Sequence, residues 1–537
     1  VWNGGDDDDT MNGGDGTDTI EVNGSPVAGE QFAVKPSATA GRVQFDRLGP
    51  NPPGAFNLDI GTSEKLDLRM NGGDDNFTAD AGLDALGFKL QVDGGDGNDV
   101  IDGGDGADLL RGGNGDDRVI GDDNPANTRD LSYGDAGNDT LVWNGGDDDD
   151  VNDGGDGNDT IEVNGSPVAG EQFEVKPSAT PGHVQFDRLG PSPTPGTFNL
   201  DIVTSERLDL RMNGGDDTVT AASGLEPLGL HLDVTGGDGN DSIDGSDSAD
   251  LLSGGNGNDR ITADDNPPGT QDVANGDAGD DTFVWNPGDD DDVNEGGDGN
   301  DTVEVNGATA GEKFTVKPSA TAGRVQFDRV SPDPKFSIDI GTSENLHVNG
   351  GDGDDTILGS KGLAGLIAST FNGDAGNDTI KGSDGADKVS GGKGSDLIVT
   401  RDRAGDEVEC NGGFDLALVD RRDRVRGCEI VLGGRLRVKH VGSSLTVHGG
   451  AAALKLRCVA TAKCRGTAAL LYHGKSLGKV RFNLKSGKAK TYRIDLNRRG
   501  HRLLAASSKA RKVVLRIDAK DNMGNGWRTS DRIKLKG

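Results

Sequence analysis

Between Gly94 and Ile120 three nonapeptides follow one another without a gap: Gly94-Gly95-Asp96-Gly97-Asn98-Asp99-Val100-Ile101-Asp102, Gly103-Gly104-Asp105-Gly106-Ala107-Asp108-Leu109-Leu110-Arg111 and Gly112-Gly113-Asn114-Gly115-Asp116-Asp117-Arg118-Val119-Ile120. Each is Gly-Gly-x-Gly-x-Asp followed by x, a large apolar residue and x. Glycines at positions 1, 2 and 4 permit a tight turn with positive φ and leave backbone carbonyls unshielded. Positions 7 to 9 make a short strand whose eighth residue (Ile101, Leu110, Val119) points inward. A disordered acidic linker has no need of an apolar residue at every ninth position. A stacked repeat does.

Position 6 is always Asp and position 3 is Asp or Asn, so hard oxygen donors gather in one short turn. Such donors suit Ca²⁺, which takes about 6–8 oxygens at roughly 2.3–2.6 Å. On these residues the chain resembles the RTX, or haemolysin-type, calcium-binding nonapeptide repeat, a parallel β-roll former. The resemblance implies two nonapeptides per coil, with an ion between the Gly94–Asp99 and Gly112–Asp117 turns and Gly103–Asp108 stacked along the opposite edge. Carried along the chain, it implies metal ligands at Asp15, Asp18, Gly94, Asp96, Gly97, Asp99, Asp105, Asp108, Gly112, Asn114, Asp117, Asp139, Asp156 and Asp159. In the later copies it implies Asp238, Asp241, Asp247, Asp250, Asn256, Asp259, Asp281, Asp298, Asp301, Asp352, Asp355, Asp378, Asp384, Asp387 and Asp396. Some turns depart from the pattern. Ser246 and Ser248 replace glycines, Lys393 takes a third position, and the four-aspartate runs put Asp7, Asp148 and Asp290 where the family has glycine. Weak binding or none is expected there.

A longer repeat overlies the short one. Val1-Trp2-Asn3-Gly4-Gly5 with its four aspartates recurs at Val142–Asp150 and, with Pro287 for Gly, at Val284–Asp292. In copy one a glycine-poor stretch follows: Gln31–Lys35, Arg42–Arg47, Phe56–Ile60 and Lys65–Met70, with period-two alternation that predicts half-buried strands. Proline-rich tips (Pro50–Pro53, Pro191–Pro195, Pro332–Pro334) differ in length between copies, as exposed loops do. Whether these stretches continue the solenoid or bulge from it stays open at this level. No helical pattern is expected beyond a short turn at Leu363–Ile367.

The fold expected is all-β: a parallel β-roll or β-helix solenoid in three long repeats, followed by a small β-sandwich. Its parts are residues 1–141, 142–283 and 284–409 as calcium-binding solenoid repeats, 410–434 as an end coil closed by a disulfide, and 435–537 as a basic Ig-like sandwich. Eight short alternating strands predict that sandwich, from Arg435–Val438 to Thr529–Leu535. Cys410 and Cys428 bracket the last coil, and Cys458 and Cys464 are placed to staple a turn. Neither pair has the spacing of a structural zinc site, so two disulfides formed in an oxidising compartment are expected.

Net charge is −37, yet residues 435–537 hold 26 Lys and Arg against 4 Asp and no Glu. The acidic body calls for cations. The basic tail suits an anionic cell-wall or extracellular polymer; with few interleaved aromatics it gives no nucleic-acid signature. No run of about 18 apolar residues exists to span a membrane. His183, His231 and His347 fall on strand-like stretches, and there is neither a His-Glu-x-x-His nor a Gly-x-Ser-x-Gly motif, so no catalytic role is expected. The chain begins at Val1, within the long repeat, so a removed leader or a longer parent is expected. These features point to an extracellular or cell-surface bacterial protein with a structural, adhesive or matrix role. The alternative is the non-catalytic calcium-binding part of a secreted enzyme.

Overall fold

The structure is a computed structural model describing residues 1–3, 8–49, 55–125, 128–144, 147, 149–190, 198–432, 437–459, 463–485, 487–506, 509–520 and 526–537. Pro50–Pro53, Pro191–Pro195, Asp7 and Asp148, named above, lie outside the described residues. The chain forms two compact units, residues 1–303 with 337–343 and residues 304–336 with 344–537.

In the first unit each coil gives one strand to each of two parallel sheets. In one sheet Lys89–Asp96, Leu109–Asn114 and Leu131–Ala136 pair in register, Gly95 beside Gly113 and Asp96 beside Asn114. In the other, Phe77, Ile101, Val119, Leu141, Ile161 and Leu208 occupy successive rungs and are all fully buried. These are the eighth residues of the nonapeptides and their counterparts, so one apolar side chain per half-coil builds the seam. A core this thin is enough only because each coil is covered by its neighbours.

The glycine-poor stretch is neither a wider coil nor a bulge. Gln31–Pro36, Arg42–Gly49 and Phe56–Gly61 form an antiparallel meander spliced into one sheet. Phe56–Gly61 runs parallel to Asp9–Asn12, and Gln31–Pro36 parallel to Asn76–Ala79. On the opposite face Thr19–Asn23 pairs directly with Lys65–Arg69, so the solenoid continues past the insertion. The meander core is aromatic: Trp2 stacks on Phe56 at 3.7 Å between ring centroids, and Trp143 on Phe198 at 3.9 Å in copy two. Each such side chain removes a large apolar surface from water, worth about 1.5–3 kcal/mol. Copy one has its meander in one sheet and copy two has it in the other. Equivalent strands (Asp9–Asn12 and Asp150–Asp156) also exchange sheets, because a long repeat holds an odd number of half-coils.

The second unit continues with parallel rungs such as Thr356–Gly359, Thr379–Lys381, Leu397–Thr400 and Leu416–Val419. Cys410 and Cys428 are joined there by a disulfide. The basic module packs Arg437–His440, Ala451–Val459 and Ala489–Asp495 against Ser444–His448, Gly526–Lys536, Arg511–Lys520, Cys464–Tyr472 and Lys475–Leu484. A second disulfide joins Cys458 to Cys464. One helix, Arg498–Ala505, departs from the all-strand expectation. Its signal was the Asn497 cap, whose side chain accepts N–H groups from Arg499 and Gly500.

Candidate metal centres

The glycines bring the turns of successive coils unusually close. Gly97 and Gly115 have φ of +140° and +132°, and a Cβ on Gly115 would lie 1.9 Å from the Gly97 carbonyl oxygen. A column of position-4 carbonyls therefore runs up the edge, bare of side chains. The first glycine of each turn meets the position-6 carboxylate. A Cβ on Gly94 would lie 2.3 Å from both Asp99 Oδ2 and the Gly112 carbonyl oxygen. Gly236 stands in the same relation to Asp241 Oδ2 and the Gly254 carbonyl, also at 2.3 Å.

The position-6 aspartates form a ladder. The Asp75 N–H donates to Asp99 Oδ1, Asp99 to Asp117, Asp117 to Asp139 and Asp139 to Asp159, at 2.7–2.8 Å. Copy two repeats this from Asp217 through Asp241, Asp259 and Asp281 to Asp301, and copy three from Asp355 through Asp378 and Asp396 to Asp415. One carboxylate oxygen per residue is thus committed to backbone. The other, Oδ2, is buried with no hydrogen-bond partner among the described residues at Asp75, Asp99, Asp117, Asp139, Asp159, Asp217, Asp241, Asp259, Asp281, Asp355, Asp378, Asp396 and Asp415. A buried, unsatisfied charged oxygen costs several kcal/mol unless a cation meets it.

The electrostatics point the same way. Burial, followed by neighbouring carboxylates, pushes Asp75 and Asp117 up to about 7. Burial also pushes Asp99 and Asp139 up to about 6 despite their backbone hydrogen bonds. Orphaned carboxylate oxygens beside stacked carbonyls are a donor set that fits Ca²⁺, whose charge would return these groups to their ionised form.

The position-3 residues behave differently. Asp15, Asp96, Asn114, Asp156, Asp238, Asn256, Asp298 and Asp352 are exposed, and Asn114 and Asn256 donate sideways to Asp96 and Asp238 at 2.7 Å. Their side chains lie outside the buried row of position-6 carboxylates. Position 5, not singled out from the sequence, makes its own outer ladder: the N–H groups of Asn98, Asp116 and Asn138 donate to Asp74, Asn98 and Asp116 side chains.

The other edge is satisfied by protein groups only in part: Asp130 in copy one and Asp406 in copy three keep a buried Oδ2 with no hydrogen-bond partner among the described residues. There Asp105, Asp247 and Asp384 cap backbone N–H groups: Gly82 and Leu83, Gly224 to Glu226, and Gly362 to Ala364 respectively. Asp250 Oδ2 accepts from the Ser246 N–H and hydroxyl, and Asp387 is held likewise by Ser383. Asp108, whose turn has Gly104 at that place, keeps a buried, unpartnered Oδ2. Asp18 also has an unpartnered Oδ2, while its N–H donates to Glu64.

Each ladder also has a first rung that the sequence did not reveal. The N–H groups of Glu30, Glu171 and Glu312 donate to Asp75, Asp217 and Asp355. Their carboxylates pair with Arg47, Arg188 and Arg329, carried on the meander, and the Arg47–Glu30 and Arg188–Glu171 pairs are no more than 2% exposed. A Cβ on Gly24 would meet Glu30 Oε2 just as one on Gly94 meets Asp99 Oδ2. That oxygen accepts the Ser25 N–H, and the guanidinium pairs with Oε1, so the first rung is satisfied by protein groups alone.

A family model for the RTX calcium-binding nonapeptide repeat matches residues 3–23, 93–124, 234–265, 347–362 and 368–398. No curated protein matches the chain. The matched segments contain the ladder turns around Asp99, Asp117, Asp241, Asp259, Asp355, Asp378 and Asp396, so the chain carries RTX repeats, which bind Ca²⁺.

Proposed function

We propose that this calcium-binding repeat protein is secreted, folds its solenoid on meeting extracellular calcium, and serves a structural, adhesive or matrix role. The observation that carries the reading is the row of buried aspartates whose second oxygen has no partner. At cytosolic calcium those charges oppose the coil; at the millimolar concentrations outside cells, sites with Kd of about 10⁻⁴–10⁻³ M fill and drive folding. Residues 1–141, 142–283 and 284–409 are the three calcium-responsive repeats, 410–434 the stapled end coil and 435–537 a separately stabilised module.

One feature supports a non-catalytic role. His183 pairs with Asp201 at 2.9 Å at the place where copy one has Arg42 paired with Asp59 at 2.7 Å, so the histidine replaces an arginine in a cross-strand pair. Among the described residues no helix is long and apolar enough to cross a membrane. The basic module supplies a docking face for anionic extracellular polymer. A groove of about 630 Å³ is lined by Arg465, Arg481, Lys520 and Arg528 with Phe482 and Trp527. Chelating calcium is expected to abolish the β-sheet circular dichroism of the solenoid, with the module's signal remaining. A spectrum unchanged in metal-free buffer overturns the proposal.

A further inference from the structure

One carboxylate group joins the sixth position of the Gly382–Asp387 turn to a loop beyond the nonapeptides. Asp387, Asp402 and Asp406 each present an oxygen such that all three lie within 4.8 Å of one another. Asp402 and Asp406 come from Thr400-Arg401-Asp402-Arg403-Ala404-Gly405-Asp406, which lacks the Gly-Gly-x-Gly pattern and lies outside the matched segments. Asp406 is fully buried, and its Oδ2 has no hydrogen-bond partner among the described residues; the same holds for Asp402 Oδ2. Asp406 Oδ1 accepts the Asp387 N–H at 3.0 Å, and Asp402 Oδ1 accepts the Ala404 N–H at 2.6 Å. One oxygen of Asp402 and one of Asp406 are thus fixed and the other of each is left over, while Asp387 accepts from Ser383 at both of its oxygens.

Copy two shows what is missing. There Asn266, in a longer loop, donates to Asp272, the counterpart of Asp406. In copy one Asn124 donates instead to Asp150, and the counterpart Asp130 keeps an unpartnered Oδ2 among the described residues, as Asp406 does. Copy three has Asp402 in its shorter loop, an acceptor in place of a donor. Four neighbouring cations are engaged elsewhere. Arg401 and Arg422 donate to the carbonyls of Leu432 and Arg403, and Arg424 and Arg426 pair with Glu407 and Glu409. The other charged groups facing the cluster, Asp384, Asp420 and Asp423, are also acidic. Oxygens on opposite sides of a Ca²⁺ ion are about 4.6–5.2 Å apart, twice the bond length, so the observed spread fits one ion.

We propose that Asp387, Asp402 and Asp406 form a three-carboxylate site for one divalent cation, calcium in the extracellular setting, distinct in ligand set from the nonapeptide turns. It ties the glycine-poor loop to the preceding coil just ahead of the Cys410–Cys428 disulfide, so ion and disulfide together secure the last coils. This rests on the calcium reading above but adds a site that the repeat pattern does not contain.

Calcium bound per full-length chain, measured by atomic absorption after equilibrium dialysis, tests it. Asp402→Asn, which keeps the oxygen that caps Ala404, is expected to lower the count by one ion, with β-sheet circular dichroism preserved. Asp406→Asn is expected to do the same. Crystals grown in calcium are expected to show an anomalous peak among the three carboxylates. An unchanged count in a folded Asp402→Asn chain overturns the site and leaves the nonapeptide reading standing; so does the absence of the peak should either variant fail to fold. A wild-type chain that takes up no calcium overturns both.

Discussion

The two edges of the solenoid put the same residue type to opposite uses. On one edge of copy two, Asp217, Asp241, Asp259 and Asp281 expose a bare oxygen to a column of carbonyls. On the other, Asp250 is satisfied by Ser246 and Asp247 by three backbone N–H groups. Because a long repeat holds an odd number of half-coils, the edge that carries the bare row in copy one (Asp75 to Asp159) carries the satisfied one in copy two. The continuous bare row therefore alternates between edges, while single bare oxygens, such as those of Asp108 and Asp130, remain on the opposite edge. A solenoid needs cations only where its own donors run out.

The largest expected effect of that division is on pH dependence. Burial raises Asp75, Asp117, Asp217, Asp281 and Asp355 to about 7 in the metal-free chain, against about 3.9 when unfolded. For carboxylates raised on folding, the stabilising contribution is present below the unfolded value and is lost as pH rises through about 7. Metal-free chain is thus expected to hold more β-structure at pH 5 than at pH 8. Calcium needs the ionised form, so its affinity is expected to fall from pH 8 to pH 5.5. Circular dichroism with and without chelator, and calorimetric titration at the two pH values, check both. Metal-free stability that rises with pH would remove the bare edge from the account.

Next in size is the first rung. Arg188→Met leaves Glu171 buried without its cation and is expected to cost about 3–5 kcal/mol in saturating calcium, read from urea unfolding. Adding Glu171→Gln is expected to recover most of it. A loss below about 1 kcal/mol would mean that the guanidinium is not what keeps Glu171 charged in the interior.

How much of this could be read in the chain follows from what repeats. The apolar eighth residue and the position-6 aspartate recur at fixed spacing, so the seam through Ile101 and Val119 and the ladder through Asp99 and Asp117 were legible. Meander strands were legible one by one from their alternation, but their insertion into a single sheet was not. That depends on Thr19–Asn23 pairing with Lys65–Arg69 across a gap of more than forty residues, which no local pattern encodes. Glu30 and Arg47 escaped notice for the same reason: they meet only after the meander folds back. At Asp105, Asp247 and Asp384 the motif alone implies ligands, and the loops opposite present N–H groups to the same oxygens, which no local pattern encodes.

Ser246→Gly tests the satisfied edge directly. Removing the hydroxyl from Asp250 is expected to cost about 1–3 kcal/mol at calcium just sufficient to keep the chain folded and markedly less at saturating calcium, since the oxygen, left with only the residue-246 N–H, can then take an ion. The readout is the difference between urea midpoints at low and at saturating calcium. A cost independent of calcium would show that Ser246 holds the turn by its backbone geometry alone, and the contrast with Asp108, whose turn has Gly104, would lose its meaning.

The smallest effect distinguishes positions within one turn. Asp96 is exposed and its carboxylate accepts from the Asn114 side chain in the outer row, whereas Asp99 is buried in the ladder. Asp96→Ala therefore removes a solvated contact and is expected to stay within about 0.5 kcal/mol of the parent in calcium. Its calcium titration is expected to overlay the parent's, while Asp99→Asn loses binding at the same turn. If the two variants lost calcium equally, the position-3 side chain would have to swing inward when the ion arrives. The bare edge would then be a site completed by its ligand, instead of one already formed by the packing of its glycines.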